Sequence, residues 1–143
     1  MLLVFVGVIY QKIPQPVSNT FSPFSYDIGD PVVFDGITYT VTGWNETEGS
    51  ETKIVTVSLE AENVGKEPIM LTNDMVRLMD GAERQYEYRT LGSNFSGTMN
   101  PGLKIQGKVV FEVPLDADGF FVALREDVFD FGGADYQYVE LSD

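Results

Sequence analysis

Apolar and polar side chains alternate with a period of two along most of this chain, the signature of half-buried β-strands. Ile37, Tyr39 and Val41 share one parity against Thr38, Thr40 and Thr42. Residues 53–63 repeat the pattern, with Val55, Val57, Leu59 and Ala61 opposite Thr56, Ser58, Glu60 and Glu62. That reads as an antiparallel strand with one wet face. Leu103, Ile105, Val109, Phe111 and Val113 face away from Lys104, Gln106, Lys108 and Glu112, and Pro114 ends the run. Phe120, Val122 and Leu124 continue it after an Asp118-Gly119 turn.

Shorter strands are expected at 31–34, 69–71, 77–79 and 136–141, with Asp35-Gly36 and Asp80-Gly81 as turn dipeptides. Residues 85–88 are expected to pair back onto 76–79. Residues 45–52 read as polar turn, 65–68 as a break, and 90–102 as a long loop closed by Asn100-Pro101-Gly102. One helical turn is expected at 72–76, capped by Thr72 or Asn73. No segment carries a persuasive 3.6-residue period. The pattern predicts an all-β fold, an immunoglobulin-like antiparallel β-sandwich of about seven to nine strands, over residues 27–143. Trp44, at a strand end, is expected at the core or its edge.

Residues 1–10, MLLVFVGVIY, form an apolar run. It is too short to span a bilayer, which takes about 20 residues, and it fits the apolar part of a signal peptide. We read it as the remaining end of a secretion signal or membrane anchor; a strand of the domain is the competing reading. Pro14, Pro16 and Pro23 make residues 11–26 a linker. Asn45-Glu46-Thr47 and Asn94-Phe95-Ser96 are glycosylation sequons in expected loops, with Asn45 and Asn94 as acceptors.

Composition narrows the chemistry. A chain of 143 residues with 43% hydrophobic content suits one domain with a real core. Its formal charge of −13 argues against nucleic acid and anionic membrane surfaces, and favours cationic partners and divalent cations. With no His and no Cys there is no Ser-His-Asp triad, thiolate nucleophile, disulfide or Cys/His zinc site.

The run Gly29-Asp30, then residues 37–41 (ITYTV), 57–65 (VSLEAENVG), Asn100-Pro101-Gly102 and 108–114 (KVVFEVP) resembles a family of exported, often membrane-anchored bacterial and archaeal domains of unknown function. These have a telokin-like immunoglobulin fold, like the immunoprotective extracellular antigens. The resemblance covers about residues 26–141 and implies a β-sandwich outside the cytoplasm; it implies no catalytic residues. This chain lacks the Cys that would carry a lipid, so an anchor would be the segment at 1–10.

Asp116-Ala117-Asp118-Gly119 resembles a fragment of a calcium loop without the remaining ligands, and a polar turn is the preferred reading. Glu126, Asp127, Asp130 and Asp135 form a second acidic group near Gly132-Gly133. Asp116, Asp118, Asp127 and Asp130 are thus the calcium candidates; no other cofactor is expected. No carboxylate pair is marked out for glycosidase chemistry, and Ser93 and Ser96 lack an identifiable base. The expectation is a non-catalytic, extracytoplasmic protein-interaction or adhesion module. Tyr86, Tyr88, Phe95, Tyr136 and Tyr138 and the 90–102 loop are its candidate contact surface, with a protein as partner. A structural spacer or accessory domain is the alternative, and residues 1–10 are a candidate for self-association.

Overall fold

Strand parity decides what enters the core. The computed structural model describes residues 24–126 and 136–142, and it contains β1 (Ser25–Tyr26), β2 (Pro31–Val33), β3 (Ile37–Glu48), β4 (Thr52–Asn63), β5 (Ile69–Leu71), β6 (Val76–Met79), β7 (Gln85–Tyr86), β8 (Gly97–Met99), β9 (Lys104–Pro114), β10 (Phe121–Leu124) and β11 (Gln137–Glu140). Two sheets, ordered β2-β3-β4-β9 and β1-β11-β10-β6-β7, face each other in a sandwich-like arrangement, with a β5-β8 ribbon beside them. Every pairing is antiparallel except β1 with β11. Val32, Ile37, Tyr39, Val55, Val57 and Leu59 from one sheet meet Val76, Leu78, Val122, Leu124 and Val139 from the other in one core.

The β3 register shifts between Val41 and Gly43. A bulge of this kind reverses parity. Trp44, opposite Val57, therefore joins the inner face and meets Phe120 edge-on, 6.1 Å between ring centroids. Glu46 follows it inward and pairs with Lys53 at 3.5 Å, while the Lys53 ammonium sits 5.5 Å from the Phe120 ring. Trp44 lies at the core edge, as its position suggested.

Other expectations give way to longer-range pairing. Among the described residues eleven strands form rather than about seven to nine, because strands of two or three residues are too short to show a pattern. Residues 45–48, expected as turn, extend β3 against β4, so Asn45 is a strand residue opposite Thr56. The 90–102 loop contains β8, paired with β5, and Ser25 and Tyr26 leave the linker to form β1. The turn near residue 72 is a 3-10 turn, Asn73–Met75, and Thr72 makes no side-chain cap. Leu103, expected inward, is exposed at the sandwich end. The segment 1–10, residues 11–23 of the linker, and Asp127, Asp130 and Asp135 lie outside the described residues. Among the described residues no helix is long and apolar enough to cross a membrane.

Candidate functional site

A long unpaired sheet edge is a ready contact surface. β9 presents such an edge, and segment 89–94 occupies its centre. Arg89 N–H donates to the Val110 carbonyl at 2.6 Å, and Asn94 N–H to that of Lys108 at 2.9 Å. In return, Val110 N–H donates to Ser93 Oγ at 2.9 Å and Lys108 N–H to Asn94 Oδ1 at 2.7 Å. Two short polar side chains thus supply the acceptors a neighbouring strand would offer. Phe95 then turns into the core, fully buried, with its N–H on Asn73 Oδ1 at 2.8 Å. Gly107 makes that entry possible, since a Cβ there would lie 2.9 Å from the Asn94 carbonyl oxygen and 3.0 Å from Phe95 Cα. Phe95 is therefore a core residue, correcting its place among the surface aromatics.

Asp80, 1% exposed, organises the β6–β7 turn. Its Oδ1 accepts from the N–H groups of Ala82 and Arg84, and its Oδ2 from Arg84 Nε at 2.7 Å and Tyr86 O–H at 2.8 Å. Burial pushes the carboxyl up, but the Arg84 N–H, the Tyr86 hydroxyl, the Arg84 guanidinium and the Ala82 N–H together hold it below the usual range. Tyr86 is pushed up to about 12, first by burial and then by its bond to Asp80. The calcium candidates Asp116 and Asp118 stand beside this turn. Asp116 Oδ1 faces Arg84 Nη2 at 3.3 Å, and the Asp118 carbonyl accepts from Gly81 N–H at 2.9 Å. Among the described residues no three carboxylates, His or Cys gather where they could hold a metal.

The remaining aromatics are half-buried. Tyr86 and Tyr88 pack against the core, and the Tyr136 and Tyr138 rings lie 6.3 Å apart. Asn45 and Asn94 are exposed on β3 and the β9 clasp respectively.

One end of the sandwich differs. Asn63 is 1% exposed, and each of its polar groups finds a partner there. Its N–H donates to the Leu103 carbonyl and its own carbonyl accepts from Gly102 N–H. Its Nδ2 donates to the Glu67 and Met99 carbonyls, both at 2.8 Å, while Oδ1 accepts from Gly65 N–H at 3.0 Å. Around this knot Val64, Met70 and Leu103 are 47%, 64% and 53% exposed. Val64 also lines an open groove of about 470 Å³, with Asp35, Gly36, Asn63, Lys66 and Ile69 among others. Residue-type reasoning missed this end; its exposed apolar residues come from three separate segments, which only the fold brings together.

The profile of a family described as a domain of unknown function (DUF4352) matches residues 26–134. No curated protein sequence matches the chain. Among solved structures, the yjhA protein of Bacillus subtilis superposes with a TM-score of 0.63 at 15% identity, over 82% of this chain and 99% of that one. A secreted protein of Mycobacterium tuberculosis, MPT63, gives 0.61 at 9% identity, over 85% and 98%. A putative lipoprotein (ycdA) of Bacillus subtilis gives 0.61 at 14% identity, over 79% of this chain and 39% of that one.

Proposed function

This chain belongs to the DUF4352 family of domains of unknown function, and on that premise we propose that it is a non-catalytic, extracytoplasmic contact module with an immunoglobulin-like, telokin-like sandwich. The observation that carries the reading is the sandwich end around Asn63. There a buried hydrogen-bond network fixes the backbone while Val64, Met70 and Leu103 stay in water. Exposed apolar side chains on a rigid frame suit protein contact, because little conformational entropy remains to be lost on binding. The β9 edge, by contrast, is occupied at its centre. Likeness to a secreted protein and a putative lipoprotein supports a location outside the cytoplasm.

A photo-crosslinking amino acid at Met70 tests this in intact cells, with Thr40 on the outer sheet face as control. Discrete adducts from position 70 and none from position 40 are expected. Equal labelling at both positions would overturn the reading.

A further inference from the structure

β3 runs well past its outer neighbour. β2 pairs with it only at residues 38–40, and the last bond on that side is Gly29 N–H to the Val41 carbonyl at 2.8 Å. Beyond the bulge, residues 43–48 stay paired with β4 on their other side, ending with Glu48 opposite Lys53. An antiparallel ladder turns alternate residues toward each neighbour. Ile37 and Val41 turn their carbonyls to the β2 side. With one residue added by the bulge, the backbone N–H and C=O groups of Trp44, Glu46 and Glu48 face that side again. No hydrogen bond from another described segment reaches this backbone edge. The open stretch is about 20 Å long. Asn45, Thr47 and Glu48 on it are exposed, and a groove of about 480 Å³ lined by Trp44, Asn45, Glu46, Leu141 and Ser142 lies beside it.

An open edge accepts an extended segment, and charge decides which one. Glu46 and Glu48 stand on this edge, and Glu51 in the turn that follows. Lys53, the one basic residue of the 43–53 hairpin, is buried and already paired with Glu46 at 3.5 Å. Outside the described residues the sequence adds only Lys12 as a basic side chain, so the acidic excess of this hairpin stands. Two copies joined through this edge would set its glutamates against their own counterparts, which is destabilising. A strand carrying Lys or Arg gains from the same positions. In the groove, the Trp44 indole and the Glu46 carboxylate suit an aliphatic stem with a cationic head.

We propose that residues 43–48 of β3 dock an extended basic segment of a partner protein, which adds as a further strand to the β2-β3-β4-β9 sheet. Main-chain hydrogen bonds to Trp44, Glu46 and Glu48 supply the affinity, and the glutamates select the cation. Asn63 pairs with Ile37 at the opposite end of the same two strands, so this edge stands independently of the Asn63 surface.

Fluorescence anisotropy of a labelled seven-residue peptide alternating lysine and threonine, titrated with the full chain, tests the assignment. Its glutamate–threonine counterpart is the control. Saturable binding of the basic peptide alone is expected. Amide exchange read by NMR then reports the register. Trp44, Glu46 and Glu48 should slow at least about tenfold on binding, while Asn45 and Thr47, which face β4, should not change. Glu48→Gln should weaken binding about threefold, the worth of an exposed ion pair. Glu48→Pro, which also deletes an outward N–H, should weaken it about fivefold further. No saturable binding of the basic peptide would overturn the proposal. So would binding that leaves exchange at Trp44, Glu46 and Glu48 unchanged. Slow exchange of those amides in the free chain would overturn it too, marking the edge as covered by residues 1–23 or by a second copy.

Discussion

The Asn63 side-chain amide donates to the Met99 carbonyl at 2.8 Å across 36 residues, tying the end of β4 to the end of β8. With the Gly102 and Leu103 backbone bonds, it brings the segment ending in Asn63-Val64-Gly65 against Asn100-Pro101-Gly102. Two turn motifs that looked separate along the chain are halves of one joint. An asparagine suits it because only a primary amide offers two donors and an acceptor in so little volume.

Asn63→Ala should therefore cost at least about 2 kcal/mol, since it strands buried carbonyls and an N–H together. Urea denaturation measures this, with the midpoint falling at an unchanged slope. Asn63→Asp should not rescue it, because a carboxylate has no hydrogens for the Glu67 and Met99 carbonyls. Full retention of stability in either variant would remove Asn63 from its organising role.

Gly107 is expected to be equally intolerant for a different reason. A Cβ there meets Asn94 and Phe95 at 2.9–3.0 Å, so Gly107→Ala should push the clasp off β9 at a cost of about 1–3 kcal/mol. Hydrogen exchange should show faster Lys108 and Val110 amides, whose acceptors are the Asn94 and Ser93 side chains. Gly43→Ala is the control, since its Cβ would meet nothing within 4 Å. Unchanged protection in Gly107→Ala would contradict the clasp.

Asp80 predicts a pH dependence of known sign. Its carboxyl titrates lower when folded, so its stabilisation is fully present above the unfolded value of about 3.9 and fades as pH falls through the folded one. Tyr86 acts at the other extreme. Its hydroxyl is pushed up to about 12 when folded, so its contribution is present below the unfolded value of about 10 and is lost as pH rises beyond it. Melting-temperature profiles should flatten on the acid side in Asp80→Asn and on the alkaline side in Tyr86→Phe. Parallel profiles for both variants and the native chain would contradict these assignments.

Where alternation was unbroken, the sequence carried the fold: Val55 to Ala61 and Val109 to Val113 point inward as their parity demands. Parity is blind to the bulge before Gly43, which moves Trp44 and Glu46 to the inner face. It is equally blind to a loop acting as a strand. Ser93 and Asn94 read as ordinary loop residues because their partners, Val110 and Lys108, lie 17 and 14 residues away. Phe95 looked like a surface aromatic because the gap that admits it is the missing side chain of Gly107. The contact surface was hidden for a related reason, since Val64, Met70 and Leu103 belong to three separate segments that only folding assembles.

Binding of the fluorescently labelled domain to intact envelopes of the producing cell tests the central claim most directly. The native chain should bind saturably, and a Met70→Glu, Leu103→Glu double variant should bind at least about tenfold more weakly with an unchanged melting temperature, since both side chains are more than half exposed. Equal binding by the two proteins, or none by the native chain, would contradict it.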